Sequence, residues 1–126
     1  MIDHVSIAVP DLTASAAFYD GVLATLGLQR LVSREGTVGY GKRYPEFWLN
    51  ARPGMAPVPA DSGVHICLRG RGREAIEAFH AAALAAGGSD DGGPGLRPEY
   101  SPGYFAAFVR DPDGNRIEAV TFLSED

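Results

Sequence analysis

The chain has 126 residues, which accommodates one domain with one core and excludes two independent ones. Its 11 Lys and Arg face 16 Asp and Glu, a formal charge of −5, which argues against nucleic acid or an anionic membrane as the main partner. The single cysteine, Cys67, permits no internal disulfide, the N-terminus has no basic-then-apolar leader, and no apolar run approaches the roughly 20 residues of a bilayer span. A soluble, unprocessed, cytoplasmic protein is the expectation.

From the N-terminus, Ile2 to Val9 alternates and predicts a strand, with Val5, Ile7 and Val9 on one face and His4, Ser6 and Ala8 on the other. Pro10 ends it. Asp11 is placed to cap a helix running to about Leu26, in which Leu12, Ala16, Tyr19, Leu23 and Leu26 recur at helical spacing and Gly27 is the stop. Three short strands follow, over 28–33, 38–41 and 46–51, and then a linker over 52–61 rich in Pro and small residues.

The pattern then starts again. A strand is predicted over 63–69, with Val64, Ile66 and Leu68 opposite His65 and Cys67, and a helix over 73–86. A shift of 61 residues superimposes His4 on His65, Phe18 on Phe79, Leu23 on Leu84 and Gly27 on Gly88. Residues 87–98, loaded with Gly and Asp, read as a loop, before strands near 96–100, 104–109 and 115–122. The fold class is therefore α+β: one domain over 1–126, with a βαβββ module over 1–51, the linker, and a second module over 62–126. Neither module closes its own concave face, so two side by side would make a curved eight-stranded mixed sheet, a cup with the helices on its convex side.

The last strand follows Asp111-Pro-Asp-Gly, a strong turn signal. Its alternation puts Arg116, Glu118 and Val120 on one face and Ile117, Ala119 and Thr121 on the other. Read alone, it is an edge strand with a solvated glutamate. The strand phases change that reading, because His4, His65 and Glu118 all lie opposite the helix-packing faces and so point into the cup. Two imidazoles and a carboxylate form a set that binds a divalent metal while leaving positions open for substrate and water. His80, on a helix beside Phe79, is expected to lie outside that set.

The stretches His-Val-Ser-Ile-Ala-Val-Pro-Asp-Leu from His4, Phe18-Tyr19, Gly63-Val-His-Ile and Asp111-Pro-Asp-Gly-Asn-Arg-Ile-Glu resemble the vicinal oxygen chelate superfamily over essentially the whole chain. That group includes glyoxalase I, extradiol dioxygenases, fosfomycin-modifying enzymes and bleomycin-resistance proteins. The resemblance implies that His4, His65 and Glu118 are metal ligands and that the metal chelates two adjacent oxygens of a small-molecule substrate. It does not select Zn, Ni, Mn or Fe. Glyoxalase I adds a fourth ligand, usually Glu, from the last strand of the first half; here that strand reads Glu46-Phe-Trp-Leu-Asn50, with Trp48 or a neighbour in its place and Glu46 one pleat away.

Around the metal set, Trp48 and Asn50 share a face and are candidate substrate contacts, Trp48 as cup wall or as core filler. Tyr104 is a candidate proton or hydrogen-bond donor, with Tyr100 beside it as a substrate contact or lid, and extradiol dioxygenases use a tyrosine in this region. Arg97 and Arg116 are candidate anion clamps. Three functions fit: a lyase or isomerase using a metal as Lewis acid, with Glu118 and Tyr104 as catalytic groups; an Fe(II) extradiol-type dioxygenase; and a metal-free binder of aromatic or drug-like ligands. The superfamily builds its cups within one chain or across two, and the linker permits either; a homodimer is the expectation.

Overall fold

The computed structural model describes residues 1–124. Its elements run β1 (Val5–Val9), α1 (Leu12–Ala24), β2 (Gln29–Arg34), β3 (Thr37–Gly41), β4 (Pro45–Ala51), β5 (His65–Arg69), α2 (Gly72–Ala85), β6 (Ser89–Leu96), β7 (Tyr104–Arg110) and β8 (Arg116–Phe122). The α+β class and the two βαβββ modules are as expected. The eight strands hydrogen-bond as two mixed sheets of four, ordered β1-β4-β3-β2 and β5-β8-β7-β6, with the parallel pair at one edge of each. No helix among the described residues is long and apolar enough to cross a membrane.

Alternation sorts the faces as read. Val9, Phe47, Leu49, Val38 and Tyr40 turn inward against α1, and Phe105, Ala107, Val109, Ile117 and Ala119 against α2, all at most 5% exposed. These residues belong to one apolar cluster that crosses both modules. Asp11 caps α1, accepting the Ala14 N–H at 3.1 Å. Both helices stop at a glycine with positive φ, Gly27 at 81° and Gly87 at 101°.

Three expectations need correction. The last strand is not at an edge: β8 lies between β5 and β7, so Glu118 is surrounded by paired backbone on both sides. Residues 89–96 are a strand and not a loop. Their Gly, Pro and Asp content argues against strand by propensity, but β6 is an edge strand, where Pro94 costs no ladder bond and register shifts are tolerated. The strand expected near 96–100 is instead a turn region reaching to Tyr104, with the Tyr100 N–H donating to the Arg97 carbonyl at 3.0 Å.

The repeat is real but changes offset. The core faces of β1 and β5 match at 61 residues, Val5 with Ile66 and Ile7 with Leu68, whereas α1 starts at Leu12 and α2 at Gly72, an offset of 60. One residue is missing from the second strand–helix corner. Within the helices Tyr19 therefore corresponds to Phe79 and Leu23 to Ala83, all fully buried, while Leu84 is 41% exposed. The matches of Phe18 with Phe79, Leu23 with Leu84 and Gly27 with Gly88 were one residue out of register.

A buried carboxylate joins the modules. Asp111, 2% exposed, accepts the backbone N–H groups of Asp113 and Asn115 on Oδ1, and the Asn115 amide and the Tyr19 hydroxyl on Oδ2, the last at 2.7 Å. Tyr19 comes from α1, so the first helix is tied to the turn that launches β8; Ser15 adds a bond to Asp113 at 3.2 Å. Gly114, at φ 94°, closes that turn in a conformation that disfavours other residues. Burial and the nearby Asp111 charge hold the Tyr19 hydroxyl well above its ordinary pKa, so it stays a donor. Tyr19→Phe, which leaves a buried carboxylate one donor short, is expected to lower unfolding free energy by about 1–3 kcal/mol in urea titrations; a loss under about 0.5 kcal/mol would show that the clamp is not structural.

Candidate functional site

β5, β8 and β7 set a row of polar groups on the concave face of the second module. In the parallel register Cys67 stands opposite Glu118, and in the antiparallel register Glu118 stands opposite Phe108, so the three share one face. Glu118 is 2% exposed, yet no Lys or Arg pairs with it among the described residues. Its Oε1 is 3.2 Å from Nε2 of His65, and its Oε2 accepts the Tyr104 hydroxyl at 2.5 Å. The Tyr104 oxygen is also 3.9 Å from the Cys67 sulfur.

A buried carboxylate with neither Lys nor Arg beside it is costly unless hydrogen bonds, a charged imidazole or a metal compensate it. Tyr104 supplies one bond and fixes the carboxylate's rotation, leaving Oε1 toward His65. Burial, then the hydrogen bond to Glu118, raises the phenol's pKa well above its ordinary value, so Tyr104 is a donor at neutral pH and not a base. Two atoms bound to one ion at about 2.0–2.2 Å stand roughly 3.0–3.5 Å apart. The His65–Glu118 spacing fits that requirement, and a neutral imidazole with a carboxylate is a common donor pair.

His4 immediately precedes β1 and lies in the same cleft of about 400 Å³ as His65, Glu46, Tyr44 and Cys67, which opens between edge strands β1 and β5. Its Nδ1 bonds Asp3 at 2.7 Å, and the ring is half exposed. Among the described residues no three His, Cys, Asp or Glu side chains stand close enough together to hold one ion. The structure thus brings two of the three expected ligands together and leaves the third facing them across the cleft. His80 is elsewhere, on α2, with Nε2 2.8 Å from Asp90.

The register also shows what occupies Glu118's place in the first module. Val5 pairs with Phe47 as Ile66 pairs with Ile117, so Trp48 is the counterpart of Glu118. Trp48 lines an adjoining pocket with His4 and Tyr44, and a Cβ on Gly39 would come within 2.8 Å of its ring. Glycine there lets the indole lie flat on β3, which makes Trp48 a wall of the concave face. Asn50 shares that face and accepts the Thr37 hydroxyl at 2.8 Å.

Tyr100, 61% exposed, packs edge-on against Tyr104 at 5.2 Å. Arg97 lies over Phe108, its guanidinium carbon 5.4 Å from the ring centre. Arg116 is committed elsewhere: it donates to the Ala60 carbonyl of the linker at 3.1 Å and sits 3.8 Å from Asp91. Cys67 was passed over as a site residue, although the alternation that placed His65 in the cleft places Cys67 there too. Glu46, which the sequence put one pleat away, lines the cleft with both histidines.

Desolvation, reinforced by the Glu118 charge, pushes the Cys67 thiol up to about 12. A thiol so shifted is almost wholly protonated at pH 8, so alkylation by iodoacetamide is expected to run about 100-fold or more below that of a free thiol although Cys67 is exposed. Glu118→Gln removes a charge that opposes the thiolate, so it should lower the pKa and speed alkylation. Equal rates for both proteins would show that Glu118 does not act on Cys67.

The comparisons agree with this architecture. The family described as Glyoxalase/Bleomycin resistance protein/Dioxygenase superfamily matches residues 1–119. A glyoxalase/bleomycin resistance protein from Albidiferax ferrireducens T118 is 33% identical, with a TM-score of 0.83 over 94% of this chain and 96% of that one. A glyoxalase/bleomycin resistance protein/dioxygenase family enzyme from Burkholderia phytofirmans PsJN is 18% identical, with a TM-score of 0.71 over 97% and 98%. A bleomycin resistance determinant encoded on the transposon Tn5 is 20% identical, with a TM-score of 0.64 over 94% and 95%, and shares the fold. No curated protein matches.

Proposed function

The chain belongs to the glyoxalase/bleomycin resistance protein/dioxygenase superfamily, and within it we propose a metal-dependent enzyme of lyase or isomerase type acting on a small substrate with two adjacent oxygens. The observation that carries the reading is the pair His65 and Glu118, 3.2 Å apart, with the carboxylate buried and lacking a Lys or Arg partner among the described residues. His65 and Glu118 would hold the ion, with His4 as third ligand. Bound there, a divalent ion supplies Lewis acidity toward a substrate carbonyl or a developing enediolate.

The protein's own groups do the rest. Tyr104 holds Glu118 by its hydroxyl and keeps its proton, and that one O–H, turned from the carboxylate to an oxyanion beside it, would donate a hydrogen bond there. Among the described residues Glu118 is the only buried carboxylate of the concave face, and it would serve as ligand and proton acceptor. Trp48, Asn50 and Tyr100 line or flank the substrate space. Zn, Ni, Mn and Fe all accept such donors, and an Fe(II) ion would turn the same set toward extradiol-type oxygenation.

Elemental analysis separates the outcomes. Purified protein is expected to carry about one equivalent of divalent metal per complete site, and His65→Ala to lose most of it. Stoichiometric metal unaffected by that substitution would contradict the assignment. A second reading, a metal-free binder of aromatic ligands, draws support from the separation of His4 from the other two donors and from the exposed aromatic surface of Tyr44 and Tyr100. Ligand binding that persists undiminished in chelator favours it.

A homodimer is also proposed. His4, His65 and Cys67 are exposed on the cleft side, and a second copy over the concave faces would exclude water from the site. Sedimentation equilibrium at micromolar concentration is expected to give twice the 13.3 kDa of one chain; a mass of one chain would contradict it. A reducing cytoplasm suits the free Cys67 thiol.

A further inference from the structure

The strand β6, Ser-Asp-Asp-Gly-Gly-Pro-Gly-Leu, carries glycine at 92, 93 and 95, and the structure shows what uses the space. The Arg97 guanidinium lies across it. Nη2 donates to the Gly93 carbonyl at 2.7 Å and Nη1 reaches the Leu96 carbonyl at 3.5 Å. A Cβ on Gly92 would come within 3.3 Å of Nη2, and one on Gly95 within 3.1 Å of Nη1. On its other side the guanidinium is over the Phe108 ring. A flexible cation is thereby held in one place.

That place is on the concave face. Phe108 stands opposite Glu118 in the β7–β8 register, and its ring is 6.4 Å from that of His65. Phe108 is thus a shared floor, with His65 and Glu118 at one end and Arg97 at the other. Among the described residues no carboxylate pairs with Arg97, whereas Arg110 and Arg116 on the same face both approach Asp91. Of the five N–H donors of a guanidinium, two point at main-chain carbonyls and the others have no partner among the described residues.

We propose that Arg97 is the substrate-recognition residue of the second module's concave face and that the substrate carries a carboxylate, bound by Arg97 while its other oxygens face His65 and Glu118. The proposal rests on reading the His65–Glu118 pair as the reacting end. A flat guanidinium seated on a ring presents a planar edge of donors, which matches a carboxylate in a two-point contact better than a tetrahedral anion. Gly92 and Gly95 leave room for the guanidinium, since a Cβ at either would press on it and shift it by a few tenths of an ångström. The sequence feature that read as a loop is the seat of the binding group.

The test uses mandelate, which has a carboxylate, an adjacent hydroxyl and a ring, with methyl mandelate and inorganic phosphate as controls, titrated calorimetrically into the protein as purified and again in EDTA. Mandelate is expected to bind the wild-type protein saturably, and methyl mandelate about tenfold or more weaker. Arg97→Met should weaken mandelate by about the same factor and leave methyl mandelate unchanged. Gly95→Ala keeps the arginine and disturbs its seat, so it should weaken mandelate too; thermal melts matching wild type show that neither variant acts by unfolding.

Absence of mandelate binding to the protein as purified, or equal affinity in Arg97→Met, would overturn the proposal. Phosphate binding tighter than mandelate would overturn the choice of carboxylate. Binding lost only in EDTA points to the metal and leaves the Arg97 contact standing, whereas the metal reading itself is judged on metal content and the His65→Ala variant, so the two failures are distinguishable.

Discussion

The buried Asp111 carboxylate fixes the rest of the structure. Its four donors close the turn before β8, and the Tyr19 donor among them comes from the other module. A turn closed this tightly sets the register of β8, and since side chains alternate with a period of two, a slip of one residue would turn Glu118 into the core and Ile117 into the cleft. The same interaction holds α1 against the second module, alongside contacts of Phe18 with the Gly88 position and Leu26 with the Gly70 position. Packing, register and the position of the Glu118 carboxylate therefore depend on one buried group.

With the register fixed, the two modules diverge in what they place at equivalent points. The second module puts Glu118 on the central strand beneath Phe108; the first puts Trp48 there beneath Gly39. In each, one large aromatic covers the neighbouring position, but the polar group survives only in the second. The site is asymmetric for this reason, with the carboxylate, His65, Cys67, Tyr104 and Arg97 contributed by one module and His4, Trp48 and Glu46 by the other. Gly39 and the glycines of β6 have the same physical role, removal of a side chain so that a flat group can lie against a strand.

Much of this was legible in the sequence because alternation and helical periodicity are local. The faces of β1, β5 and β8 and the Asp11 cap follow from neighbouring residues. What was not legible depended on tertiary partners. β6 reads as a loop because its glycines disfavour strand, and only Arg97 and Phe108, which lie outside it, explain them. The central place of β8 is a property of strand order, which periodicity does not encode. The one-residue change of offset in the repeat was hidden because Phe18 and Tyr19 are both aromatic, so the wrong alignment still matched. His4, one residue before its strand, has the correct phase, but phase says nothing of its distance from Glu118.

The account centres on His65 and Glu118 as donors to one metal ion. Crystals grown with a divalent transition metal and measured across its absorption edge test this most directly, because the anomalous peak locates the ion. A peak about 2.0–2.2 Å from both His65 Nε2 and a Glu118 carboxylate oxygen is the predicted result. A peak bound elsewhere, with the His65–Glu118 pair still in direct contact and the Tyr104 bond unchanged, would contradict it.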